Sequence, residues 1–262
     1  MRDVVVVGYL RTAQSRSRPN APERDVFHQL RADDLLAKLL PETLKRSSVA
    51  PEEVDDFLVG AAVGVNENFT YGGRYPIFLA DLPETIPAKF VDQQCGSSMA
   101  GIHIGFMEIA MGFADTVLVG GMEHQTRNYG APLRAKEGAL SPNPRFFEDP
   151  AMAHWDFTTL SNMGYTAEKL YTQTDISKEE MDKWGTRAHN LAEKAQNEGF
   201  FDGEILPVEA EQADGSKMLV DKDQGVRAGA SYEGVKGLKP AFKEDGVITD
   251  RKSTRLNSSH YS

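Results

Sequence analysis

Cys95 is the one cysteine of the chain, and it stands in the run Val91-Asp92-Gln93-Gln94-Cys95-Gly96-Ser97-Ser98-Met99-Ala100-Gly101. That run reads as a strand end turning sharply into the first turn of an apolar helix. The free N–H groups of a first helical turn and the helix dipole stabilise a thiolate. The small residues at 96 to 98 let a substrate carbonyl come close to the backbone, so the run suits a nucleophile. A free cysteine is also among the most buried residue types and often acts as a small core hydrophobe. Position alone leaves both roles open.

The remaining reactive side chains give weaker signals. His103 follows Cys95 by roughly two turns of the same expected helix, too far along to serve as its base. His124 follows Gly120-Gly121 at an expected strand end and could face a pocket. The six histidines and one cysteine show no spacing of a metal site, so none is expected. Gly72-Gly73-Arg74 and Gly120-Gly121 lack the strand and helix context of a phosphate-binding loop and read as tight turns.

The elements that must position Cys95 follow from periodicity. Short apolar runs alternate with helical patterns, which predicts a layered α/β fold with a largely buried sheet. Strands are expected at Val4 to Val7, Phe57 to Val59, Phe90 to Gln93 and Thr116 to Val119. A helix is expected from Ala32 to Leu40 on the face of Leu35, Leu36, Leu39 and Leu40, with Pro41 ending or restarting it. Another is expected around Ile77 to Leu82. After Cys95, the recurrence of Met99, Ile102, Phe106 and Ile109 predicts a helix up to Gly112. From Gly120 to about Gly164 the periodicity fades and prolines stand at 132, 142, 144 and 150. This stretch reads as a long excursion that Phe146, Phe147, His154, Trp155 and Phe157 would pack as a lid. Ser177 and Glu180 form a capping box opening a helix to about Asn197.

Bulk properties narrow the class. A length of 262 residues with 40% hydrophobic content suffices for one large or two modest cores. One cysteine allows no internal disulfide, so a reducing, cytoplasmic compartment is expected. A formal net charge of −10 argues against nucleic acid or an anionic membrane as the main partner. No apolar run approaches the roughly 20 residues that span a bilayer.

The stretch from Val91 to Gln125, VDQQCGSSMAGIHIGFMEIAMGFADTVLVGGMEHQ, resembles the active-cysteine signature of the thiolases. VVVVGYLRTAQ near the start resembles that family's first strand and Arg-Thr turn. QTDISKEEMDKWGTRAHNLAEKAQNEGFFDGEILPV resembles the helical stretch after its covering loop, and GVRAGASYEGVKGLKPAFKEDGVIT the segment leading to its Thr-Ala-Gly-Asn stretch. The likeness covers residues 3 to 249. It implies an α/β fold of layered αβαβα type with its C-terminal half missing, divided into an N-terminal domain at 1–119 and a covering domain over coenzyme A at 120–249. At 250–262 the chain leaves the family pattern, and this tail reads like the translation of a sequencing adapter.

The resemblance implies that Cys95 accepts an acyl group from a 3-ketoacyl-CoA, giving acetyl-CoA and a shortened acyl-CoA, or runs the reverse condensation. CoA is then a substrate, with no permanently bound cofactor, and the parent enzyme is a homodimer or homotetramer. Arg227 matches the arginine lying along the nucleotide end of CoA, where a guanidinium suits phosphate and adenine. Asn162 stands where biosynthetic members place a histidine near pantetheine, beside the matching Met163, and Gly234 where some members carry a serine near adenine. The family's other acid, base and oxyanion groups lie in Gly-His-Pro, Cys-Gly-Gly and Asn-Glu-Ala-Phe motifs, none of which occurs in these 262 residues. Asn197-Glu198-Gly199-Phe200 imitates the last of these but belongs to a helix end. The chain as written is therefore expected to be inactive. An acetoacetyl-CoA-forming acetyltransferase, a ketoacyl synthase-type condensing enzyme and a non-catalytic thiolase-like binding protein remain as alternatives.

Overall fold

The computed structural model describes residues 2–128 and 143–249. The tail at 250–262 and the part of the excursion at 129–142 lie outside the described residues. Two compact units emerge. One comprises Met1–Leu133 with Asp202–Gln224, the other Arg134–Phe201 with Gly225–Ser262. The chain re-enters the first unit at 202–224.

In the first unit a parallel sheet has the strand order β2-β1-β3, with β1 at Asp56–Gly60, β2 at Ala88–Val91 and β3 at Val117–Gly121. Gly60 pairs with Val91 on one side and Gly121 on the other, so all three carboxyl ends finish at one edge. Every residue of the central β1 is buried, as a strand covered on both faces requires. Phe57 and Val59 point to one face and join a core with Leu36, Leu40 and Leu44 of helix α1, Ala32–Ser47. Leu58 points to the other face, toward Gly101 and Gly105 of helix α3, Ser97–Met111. Helix α2, Arg74–Leu79, adds the fully buried Ile77 to the α1 side. The unit thus supplies an α, a β and an α layer of the expected order.

Four local findings refine the expectations. Helix α1 does not stop at Pro41 but runs through it to Ser47. Proline inside a helix costs about 3 kcal/mol, while burying each of Leu36, Leu40 and Leu44 returns roughly 1.5–3 kcal/mol, so packing outweighs the lost hydrogen bond. Val4 to Val7 is not a strand: Val5, Val6 and Val7 are 74%, 81% and 65% exposed. A strand needs a neighbour to complete its ladder, and among the described residues no strand lies beside this one. Helix α3 turns its small residues Ser97, Gly101 and Gly105 to the sheet and leaves Met99, Ile102 and Phe106 about half exposed. Apolar recurrence located this helix, and these recurring apolar residues form its exposed face.

The fourth finding is an antiparallel hairpin that periodicity did not predict, β4 at Val208–Glu211 and β5 at Lys217–Val220. Asp214-Gly215 makes its turn, with Gly215 at φ 81° and Asp214 Oδ1 accepting from Ser216 N at 2.9 Å. The connecting segments are tied to the N-terminal chain by Arg11. Its Nε donates to Glu204 Oε1 at 2.6 Å, and its Nη1 and Nη2 donate to Asp223 at 2.7 and 3.0 Å.

The second unit is helical. Helix α4, Gln125–Asn128, closes the preceding described segment of the first unit, and α5 (Arg145–Glu148), α6 (Phe157–Ser161), α7 (Met163–Thr172), α8 (Lys178–Asn197) and α9 (Tyr232–Val235) follow. The rings of Phe146 and Phe147 pack on Phe157 at 4.7 and 5.1 Å. The expected capping box is present at the start of α8: Glu180 N donates to Ser177 Oγ and Ser177 N to Glu180 Oε2. The buried Glu168 carboxylate accepts from Val247 N and Ile248 N, holding the 240s against α7.

Candidate active site

β2 ends at Val91 and α3 begins at Ser97, so residues 92–96 must reverse the chain within five positions. Asp92 Oδ1 accepts from Gln94 N at 3.1 Å, and Gly96 N donates to Gln93 O at 3.0 Å. Gln94 is forced into the left-handed region at φ 52°, which costs a non-glycine residue about 1–3 kcal/mol. Cys95 follows this strained residue and immediately precedes Gly96, the N-cap of α3, and its thiol is exposed and free. The sharp turn places Cys95 one residue before the N-cap of a helix of four turns, whose start is the positive end of its dipole.

The helix start sits unusually close to the sheet. A Cβ on Gly60 would lie 2.6 Å from the backbone of both Ser97 and Ser98, and one on Gly121 would collide with Ser98 Oγ. Only glycine at the carboxyl ends of β1 and β3 admits the helix there. Cys95 is therefore carried at the carboxyl edge of a parallel sheet, the edge at which open α/β folds bind ligands.

A largely buried polar cluster surrounds the segment that follows β3, and sequence reasoning did not find it. Asn68 Nδ2 donates to Glu123 Oε1 at 3.0 Å, Glu123 Oε2 accepts from Ala62 N, and Arg127 Nε donates to Glu67 Oε1 at 2.7 Å. Thr126 Oγ1 hydrogen-bonds the fully buried Asp25. Its members are scattered between 25 and 128, and only Glu123-His124 at the end of β3 gave a local sign. His124 belongs to this cluster: it is 4% exposed and its Nε2 meets Phe27 O at 3.0 Å, so its burial and bonding are those of a framework residue. His103 is exposed on α3, and exposed His154 contacts Ala151 O through Nδ1.

The residues expected to meet CoA all lie in the second unit. Asn162 is the N-cap of α7, its Oδ1 accepting from Gly164 N at 2.9 Å and Tyr165 N at 3.2 Å. That engagement gives the side chain a structural reason of its own. Met163 begins the same helix and is 39% exposed. Arg227 is half-buried in the loop after Gly225, and Gly234 lies in α9, its N–H directed at Ser231 Oγ. Helix α8 clasps this loop: Gly229 N donates to Glu193 Oε2 at 2.8 Å and Asn190 Nδ2 to Ala230 O at 3.1 Å. Arg227 therefore lies in an anchored loop and Gly234 in the short helix that follows it, while Asn162 and Met163 share one helix start. No helix among the described residues is long and apolar enough to cross a membrane.

The family pattern described as "Thiolase, N-terminal domain" matches residues 4–258. A 3-ketoacyl-CoA thiolase of Chromohalobacter salexigens is 32% identical over 261 residues, covering 98% of this chain and 62% of that protein. A probable acetyl-CoA acyltransferase of Staphylococcus aureus is 34% identical over 238 residues, covering 88% of this chain and 59% of the relative. The crystal structure of the Bacillus anthracis acetyl-CoA acetyltransferase superposes with a TM-score of 0.70 at 27% identity, over 94% of this chain and 60% of that one. The chain thus spans about three fifths of the length of the relatives it matches.

Proposed function

The chain belongs to the thiolase family, whose N-terminal domain it matches, and from that premise we propose that it is the cysteine-bearing part of an acyltransferase acting on 3-ketoacyl-CoA. Cys95 Sγ attacks the keto carbon, the bond between that carbon and the α-carbon breaks, and acetyl-CoA leaves once its carbanion is protonated. The thiol of a second CoA then takes the shortened acyl group from sulfur. Cysteine suits both halves because it is a strong nucleophile and, as a thioester, a good leaving group. The observation that carries this reading is the exposed Cys95 on a strained turn at the start of α3.

Arg227 is proposed to bind the nucleotide end of CoA, with Gly234 near adenine and Asn162 and Met163 toward pantetheine. The anchoring of the 229–230 backbone to α8 supports the first assignment, since a fixed loop loses less freedom when it binds. The capping role of Asn162 weakens the case for its direct contact. The names of the relatives favour the degradative 3-ketoacyl-CoA reaction, and the acetyl-CoA acetyltransferase neighbour keeps the acetoacetyl-forming direction as the second reading. Complete turnover is proposed to need an acid and a base from the three motifs that these 262 residues do not contain. The proposed setting is cytoplasmic β-oxidation by a homo-oligomeric enzyme.

The test is acetylation. An enzyme restored to full length and incubated with acetyl-CoA should carry an acetyl thioester mapped to Cys95 by peptide mass spectrometry and removed by free CoA. A folded full-length enzyme that stays unmodified would reject the assignment.

A further inference from the structure

Cys95 is held in place by a turn whose own conformation is unfavourable, and one buried hydroxyl secures that turn from three directions. Ser97 is 2% exposed. Its Oγ accepts from Gln93 N at 2.9 Å, and its single proton is shared between Ala61 O at 2.9 Å and Gln94 O at 2.5 Å. Gln93 and Gln94 are the two residues before the cysteine, and Ala61 is the first residue after β1. One side chain therefore joins both peptides leading into Cys95 to the carboxyl end of the central strand.

We propose that Ser97 is the positioning residue for Cys95: it keeps Gln94 left-handed and so holds Cys95 in its place one residue before the N-cap of α3. This rests on the reading of Cys95 as the nucleophile and deepens it. Without the hydroxyl, Gln93 N and Ala61 O lose their shared partner, and the buried Ala61 O on the sheet side is left without it. The strain at Gln94 then relaxes, and Cys95 leaves its place one residue before the N-cap of α3. A merely structural serine would change stability alone. A positioning serine also changes the reactivity of the Cys95 thiol in chains that remain folded.

The measurement is the rate of Cys95 alkylation by iodoacetamide at neutral pH, on the 262-residue chain, with thermal unfolding recorded in parallel. Ser97→Ala should slow alkylation about ten-fold in chains that remain folded. Ser97→Thr, which retains the hydroxyl, should restore the wild-type rate. Gln94→Gly in the Ser97→Ala background should recover much of the rate, because glycine adopts φ 52° without strain. A folded Ser97→Ala chain with an unchanged rate overturns the proposal, as does failure of both the single and the double variant to fold. Absence of an acetyl adduct from acetyl-CoA in an enzyme restored to full length, alongside alkylation that still depends on Ser97, would count against the acyl-transfer reading and leave the positioning role intact.

Discussion

At the scale of single residues, the chemistry concentrates on a few polar groups whose surroundings can be tested separately. Cys95→Ala should leave the fold intact, since the side chain is exposed, while removing every acyl adduct and all acyl transfer in a restored full-length enzyme. Arg227→Ala should raise the KM for CoA at least several-fold with little change in kcat, because a charge-assisted hydrogen bond contributes about 1.5–3 kcal/mol to binding. An unchanged KM would reject that assignment. Asp156 reports on the helical unit. Its hydrogen bond from Lys169, together with those from Thr159, lowers its pKa to about 2. A depressed carboxylate stabilises the native state above its unfolded pKa, and that contribution disappears as pH falls through the folded value. The side-chain carboxyl carbon of Asp156 should therefore titrate near pH 2 by NMR, and Lys169→Met should raise the midpoint toward that of an ordinary aspartate.

Among the elements, α3 shows how closely local structure and site are coupled. Its first turn fits against the sheet only because β1 ends in Gly60. A Cβ there meets backbone rather than a movable side-chain tip, so Gly60→Ala must displace the helix start. The expected cost is about 1–3 kcal/mol by chemical denaturation, accompanied by slower alkylation of Cys95. Helix α1 tests the core instead. Leu40 is 2% exposed within the cluster that packs on Phe57 and Val59, and Leu40→Ala should destabilise the chain by about 2–5 kcal/mol without altering Cys95 reactivity.

For the molecule as a whole, the informative feature is apolar surface. Val5, Val6, Val7, Met99, Ile102, Phe106, Met107 and Phe113 are each at least 48% exposed. Contiguous exposed apolar patches beyond a few hundred Å² mark contact surfaces on soluble chains. The 262-residue chain is accordingly expected to self-associate as its concentration rises, which sedimentation velocity would detect, and replacing Ile102 and Phe106 with Ser should reduce that association. A monodisperse monomer at high concentration would contradict this. The clamp at Arg11 acts on another long-range feature, the return of 202–224 to the N-terminal chain. Arg11→Met should cost about 1.5–3 kcal/mol, because Asp223 is left buried without its partner.

The sequence by itself determined those features that arise from neighbours along the chain. The start of α3 after Cys95, its end at Gly112, the capping box at Ser177 and Glu180 and the central strand around Phe57 to Val59 all follow from spacing, and local spacing is what hydrophobic periodicity and capping chemistry encode. Tertiary structure decided the rest, because each remaining choice compares energies between distant segments. Pro41 stays helical because the core rewards the leucines on either side of it, and Val4 to Val7 forms no strand because a ladder requires a second chain segment. Helix α3 buries glycines rather than methionine and phenylalanine because Val117, Val119 and Leu58 approach too closely for anything larger. The three hydrogen bonds of Ser97 likewise join residues 61, 93 and 94, and only the folded chain brings those groups within reach of one hydroxyl.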